Sequence, residues 1–204
     1  MYHPSNGSPR TANTWGSGNT ACRRCDECDL EAHVLNHCKG RSRGWQLRHN
    51  SISDRLKQAL LFDGCALISE NQSIGPDNLH PDLVFRKGND IFIIDVTCPF
   101  ENRLEAFSDA RKHKLDKYAP LIPYFANMGL NASIIPILVG ALGSWDPKNN
   151  AFLKKHMSRS FRYKFEKLCV SETICWSRDI YVEHVTGVHQ FTENFPPIET
   201  TTSS

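Results

Sequence analysis

The run IFIIDV, residues 91–96, constrains the fold of this chain more than any other stretch. It is apolar on both faces of a strand except at Asp95, so it reads as a central strand covered on both sides. Residues 82–87 form a second strand-like run, and Gly88-Asn89 between the two is a two-residue hairpin signal. If those residues are the whole loop, Lys87 pairs with Asp90, and counting back sets Asp82 opposite Asp95. Directly opposed residues share a face, with Cβ atoms about 4.5–5.5 Å apart. Two carboxylates that close repel unless something positive sits between them, and a divalent cation is the usual answer.

Residues 103–118 read as the helix that follows. At about 100° per residue with Phe107 at zero, Tyr118 falls near +20°, Leu104 near +60° and Leu115 near +80°. On the same wheel Lys114 lies at roughly −20°, inside the apolar stripe, and Lys112 points away at roughly 140°. A lysine on the face that packs on the sheet needs a partner, and the hairpin aspartates are the nearest candidates. Two readings stand side by side: a catalytic metal site, or a structural Asp–Lys ion-pair network. Glu101, six residues after Asp95, either reaches the same site or sits at a helix N-terminus favoured by the dipole.

A chain of 204 residues has room for one ordinary domain and a small module. The net charge of +2 does not announce nucleic-acid binding, yet the cationic runs 41–48 and 154–167 permit it locally. The longest apolar run, residues 132–143, is about twelve residues and contains Pro136, too short to span a membrane. The N-terminus lacks a charged start followed by an apolar core, so no secretory signal is expected. Residues 1–20 and 191–204 are polar and aperiodic, and are expected to be disordered. Of eight cysteines, four lie within residues 22–38. That clustering points to a metal site, with Cys65, Cys98, Cys169 and Cys175 as ordinary buried thiols in a reducing compartment.

The cluster reads CRRCDECDLEAHVLNHC. Tetrahedral zinc takes four cysteine or histidine ligands, commonly two from a tight turn and two from a short helix. Cys22 and Cys25 supply the turn, and His33 and Cys38 project from a helix over residues 30–38. Cys25 with Cys28 is an equally good knuckle, and His33 and His37 share a helical face, so Cys28 and His37 stay open as ligands. Beyond a basic linker, residues 40–48, Ser51-x-x-Asp54 resembles a capping box for a helix ending near Gly64, with Ile52, Leu56, Ala59 and Leu60 on one face. Arg48 and His49 precede that helix, where a lone histidine serves either structure or function.

Residues 65–69 are expected to form a first strand and residues 132–140 a later one, with Pro136 arguing for an edge or a bulge. Trp145-Asp146-Pro147 makes a turn. Two amphipathic helices are expected over residues 149–168 and 171–187. His156, Arg159, Arg162, Lys164 and Lys167 form a basic population there, either a solvated face or a DNA contact.

Taken together, the segments CRRC…HVLNHC, RHN, PDLV, DVTCPFE, KLDKY and PILVGALGSW resemble, in order and spacing, the C-terminal region of early-branching, site-specific non-LTR retrotransposon polyproteins. That region pairs a CCHC zinc knuckle with a restriction-like endonuclease. The resemblance covers about residues 22–145. It implies an α/β fold, with a small zinc knuckle over residues 21–40 followed by a restriction-endonuclease-like mixed sheet of the PD-(D/E)xK type, flanked by helices, over residues 45–190. It implies Zn²⁺ at Cys22, Cys25, His33 and Cys38, and Mg²⁺ or Mn²⁺ at Asp82 and Asp95. Lys114 and Glu101 match the family's lysine and the acidic residue after the second Asp, and Lys117 and Tyr118 match its Lys-x-x-Lys-Tyr segment; Lys117 is a further catalytic candidate, and Arg48, His49 and Tyr118 are candidate substrate contacts.

One departure is His80, where the family has Lys or Arg before Pro-Asp. The implied activity is nicking of target DNA in the nucleus to prime reverse transcription of an element RNA. No polymerase palm motif is present, so the resemblance implies a fragment, a truncated insertion or a derived gene that would work with a separate reverse transcriptase.

Overall fold

Alternation along the central strand decides where the layers go. Ile94 and Val96 belong to one apolar cluster, and Ile91 and Ile93 to another on the opposite face. A strand buried on both sides this way must be sandwiched.

The computed structural model describes residues 22, 25, 31–36, 38, 42–103, 105–188 and 190. The expectations for residues 1–20 and 191–204, and for Cys28, His37 and Leu104, lie outside the described residues. The elements in order are α1 (Glu31–Asn36), α2 (Ser42–Phe62), β1 (Ala66–Glu70), β2 (Leu83–Lys87), β3 (Asp90–Thr97), α3 (Ala106–Tyr118), α4 (Leu121–Ala126), β4 (Asn131–Leu138), α5 (Asn149–His156) and α6 (Arg159–Thr186).

This is an α/β fold built on a four-stranded mixed sheet of order β1-β2-β3-β4. β1, β2 and β3 run antiparallel in sequence, and β3 pairs parallel with β4 after the crossover through α3 and α4. The hairpin register is the expected one: Lys87 pairs with Asp90 and Leu83 with Ile94. Gly88 has φ +62°, the positive value that a two-residue turn with glycine at its first central position requires. Pro136 sits on β4, an edge strand, where a missing donor costs little.

One face of the sheet packs on α2, α5 and α6 through Ile52, Leu56, Leu60, Phe85, Leu153 and Phe165. The other packs on α3 and α4 through Tyr118, Leu121 and Phe125. Fully burying an aliphatic or phenyl side chain contributes about 1.5–3 kcal/mol each, so these two layers hold the hairpin rigidly between them. α1 joins the body through Val34 and Leu35, packed with Ile180 of α6. No helix among the described residues is long and apolar enough to cross a membrane.

Four expectations are corrected. Residues 42–48 are not a linker: α2 begins at Ser42, and Ser51 Oγ donates to the Arg48 carbonyl at 2.8 Å inside the helix instead of capping it. The C-terminal helices break at residues 157–158, not 168–171, because Ser158 accepts from the Phe161 amide and caps α6. Leu115 is 40% exposed and stands outside the apolar stripe. Cys175 is exposed, unlike Cys169, which is buried and whose thiol burial pushes up to about 12.

Candidate functional site

The site grows out of the hairpin register. The paired register ends at Leu83–Ile94, and Asp82, one residue before β2, reaches β3 through its side chain, which accepts from the amide of Val96, the neighbour of Asp95. Helix α3 lies against the sheet face that carries Val84, Ile91 and Ile93 and ends on Tyr118, which is fully buried. The helical phase then brings Lys114, one turn earlier, over the strands.

Asp95 is the buried centre. Its side chain is 3% exposed, and the Lys114 ammonium lies 2.7 Å from Oδ2. Tyr118 Oη is 2.5 Å from Asp95 Oδ1 and 2.8 Å from the His80 carbonyl, and accepts from Lys117 Nζ at 2.8 Å. Burial, then the hydrogen bond and charge of Asp95, push the Tyr118 phenol well above its ordinary range. It therefore stays a donor and cannot act as a base. Because His80 contributes its backbone carbonyl while its side chain is exposed, a Lys or Arg there would supply the same acceptor.

Asp82 is held from two sides. Oδ2 accepts from the Val96 amide at 2.6 Å and lies 2.9 Å from His49 Nε2 on α2. Burial lowers the His49 pKa, but the Asp82 hydrogen bond and charge outweigh it, with Asn50 and Asp95 adding, so the net shift is upward. The mutual repulsion of the two aspartates is thus met on one side by Lys114 and on the other by His49.

A divalent cation fits these residues. Asp95 Oδ2 is buried, and the Lys114 ammonium at 2.7 Å is its ionic neighbour. A buried carboxylate, with a second one held by the amide of the adjoining residue, supplies the oxygen ligands that Mg²⁺ prefers.

The remaining candidates take other places. Arg48 is buried and ties helices together: it donates to Ser177 Oγ at 2.9 Å, the Leu35 carbonyl at 3.0 Å and Asn36 Oδ1 at 2.9 Å. Burial lowers its pKa. Glu101 lies ahead of α3, and its carboxylate accepts from the amides of Leu142 and Ser144 at 2.9–3.1 Å. Gly140 makes room for it, since a Cβ there would stand 2.2 Å from Glu101 Oε1. Lys112 is exposed on the far side of α3. His156 is turned inward, its side chain 4% exposed, so it does not belong to the basic face.

Direct contact of His49 and Tyr118 with the two aspartates went unread in the sequence. Tyr118 carried a usable signal: helical phase put it beside Lys114. For His49 no local signal exists, because its partner is 33 residues away.

The second group lies at the N-terminal end of the described chain. Cys22, Cys25, His33 and Cys38 bring ligand atoms within 4.8 Å of one another. Cys38 Sγ is 3.7 Å from Cys22 Sγ and 3.9 Å from Cys25 Sγ, and Cys25 Sγ is 3.1 Å from His33 Nε2. With Zn–S bonds of about 2.3 Å, tetrahedral geometry sets two thiolates about 3.8 Å apart. The sulfur spacing is that of a Cys₃His zinc site. Cys22 and Cys38 are buried, and the helix that carries His33 is fixed on α6.

No family model matches the chain. Over 100 residues, 48% of its length, the chain is 32% identical to the Retrovirus-related Pol polyprotein from type-2 retrotransposable element R2DM of Drosophila melanogaster. The matched stretch is 9% of that polyprotein's length. Across about half its residues, then, the chain is similar to a retrotransposon Pol polyprotein.

Proposed function

We propose that this chain is a zinc knuckle joined to a restriction-like nuclease domain, and that it hydrolyses DNA phosphodiester bonds with a divalent metal. The observation that carries the reading is the Lys114 ammonium 2.7 Å from the buried Asp95 carboxylate, with the Asp82 carboxylate held by the amide of the next residue, Val96. The similarity to a retrotransposon Pol polyprotein supports the substrate class.

Asp82 and Asp95 would hold Mg²⁺ or Mn²⁺. When bound, such an ion polarises the phosphoryl oxygen and makes water a stronger nucleophile. Lys114 supplies positive charge where the transition state becomes more negative, or holds the attacking water. Tyr118 and the Val96 amide fix the two carboxylates, and His49 orients Asp82. Lys117, on the exposed side of Tyr118, is placed to meet a backbone phosphate. The knuckle, loaded with Zn²⁺, would grip element RNA or target DNA beside the nuclease. In its biological setting the nick would be made in the nucleus and would prime reverse transcription by a reverse transcriptase.

A plasmid-nicking assay with Mg²⁺ tests this on the wild type and on Asp95→Ala. The wild type nicks and the variant does not; cleavage that survives the substitution rejects the site. A second reading, a catalytically silent nucleic-acid-binding remnant, is favoured by one observation: His49 and Lys114 already neutralise both carboxylates without a metal. It predicts DNA binding with no nicking by either protein. Zinc lost in Cys22→Ser supports the knuckle ligands, while unchanged zinc points to Cys28 in place of Cys22.

A further inference from the structure

Lys87 and Asp82 bound opposite ends of the β2 segment, so at about 3.3 Å per residue they lie roughly 17 Å apart. A second set of metal-ligating side chains gathers at the Lys87 end, away from the nuclease site. Asp63 follows α2, Cys65 precedes β1 and His156 ends α5. Their ligand atoms all lie within 4.8 Å of one another.

The contacts converge on a point. His156 Nδ1 is 2.7 Å from Asp63 Oδ2, and Cys65 Sγ is 3.8 Å from that nitrogen and 3.9 Å from that oxygen. Around tetrahedral zinc, sulfur, nitrogen and oxygen ligands stand about 3.3–3.6 Å from each other. The two sulfur contacts are already close to that, and only the His–Asp contact must lengthen.

Two other chemistries fail on geometry. A thiol nucleophile activated by histidine needs sulfur on one ring nitrogen and the orienting carboxylate on the other. Here both meet Nδ1, which is the arrangement of a chelate. A plain His–Asp ion pair does not explain why a buried thiol joins the same two atoms. The ring itself cannot turn away: Phe92 meets it edge-on at 5.0 Å, Phe152 lies at 4.5 Å, and Nε2 is buried with no hydrogen-bond partner. Nδ1 is the engaged nitrogen.

We infer that Asp63, Cys65 and His156 form a second transition-metal site, of the class that takes zinc. Its fourth position opens on the side where Lys87 Nζ now sits 2.6 Å from Asp63 Oδ2. Lys87 is 44% exposed and Asp63 25%, so the lysine can move into water as the metal enters. The ion would clip the end of α2 to the end of α5 across the start of β1, joining residues 93 positions apart. Its role is structural, at the opposite end of the hairpin from the aspartates.

The test is metal content of the full chain after zinc loading and exhaustive dialysis, on wild type, Cys65→Ser and Asp63→Asn. Each variant should hold one zinc fewer per chain than the wild type. In Cys65→Ser the thiolate-to-metal charge-transfer absorption seen on Co²⁺ loading should weaken by the share of one thiolate. Combining Cys65→Ser with Cys38→Ser should remove zinc additively, which separates this site from the knuckle. If Cys65→Ser misfolds by circular dichroism, Asp63→Asn decides, because its side chain is partly exposed and near-isosteric. Zinc content equal to wild type in the folded variant overturns the assignment.

Discussion

Replacing Tyr118 with phenylalanine removes one oxygen from the centre of the site and leaves the ring packing intact. The hydroxyl has a single proton, its acceptors are Asp95 Oδ1 at 2.5 Å and the His80 carbonyl at 2.8 Å, and it accepts from Lys117 Nζ at 2.8 Å. The Asp95 side chain is 3% exposed, so water cannot take over the lost bond. A hydrogen bond to a charged group contributes about 1.5–3 kcal/mol, and burial places this one towards the upper part of that range, at about 2–3 kcal/mol. For a folded unit of this size each kcal/mol moves Tm by about 2–4 °C, so Tyr118→Phe should melt roughly 4–12 °C lower. Thermal unfolding followed by circular dichroism, in chelator, measures this without metal. The same variant should nick plasmid about 10- to 100-fold more slowly, the cost of about 1.4–2.7 kcal/mol in holding Asp95 in place. An unchanged Tm would refute the reasoning, because it would mean that Asp95 Oδ1 finds an equal partner elsewhere.

The other expectations concern neighbours of the same face. Lys114→Met should lower nicking by about a hundredfold or more, as removal of a charge-stabilising donor does, whereas Lys117→Met should chiefly weaken DNA binding; equal losses in catalytic rate would remove the distinction between them. His49 has a raised pKa, so the stability it adds is fully present below its unfolded value of about 6.5 and is lost as pH rises through the folded value. Urea midpoints in chelator should therefore decline with pH through that window, and His49→Gln should flatten the decline; an unchanged slope would count against the His49–Asp82 pair. Glu101→Ala and Gly140→Ala should each destabilise by about 1–3 kcal/mol, since both take the Glu101 carboxylate from the Leu142 and Ser144 amides. In the double variant the losses should not add, and full additivity would separate the two effects.

What could be read from the residues alone was whatever depends on neighbours in the chain. Strand period placed IFIIDV inside the sheet, and Gly88-Asn89 set the hairpin register that pairs Lys87 with Asp90. Helical phase put Lys114 on the packed face and excluded Lys112. Ligand spacing placed a metal site within residues 22–38, with Cys22, Cys25, His33 and Cys38 among its candidates and Cys28 and His37 left open. Each of these signals is local, so a window of a few turns or one hairpin contains it.

Only the tertiary structure decided the rest. Arg48 reads as part of a basic linker, but burial against Ser177, 129 residues on, makes it a bolt between helices. Glu101 reads as a third acid, but the close approach allowed by Gly140 turns it to backbone amides. His49 meets Asp82, and His156 meets Asp63 and Cys65, across separations that no period or spacing encodes. Those side chains share one physical trait: each carries a charge or lone pair that burial forces to find a partner, and which partner is within reach is settled by packing of the whole chain.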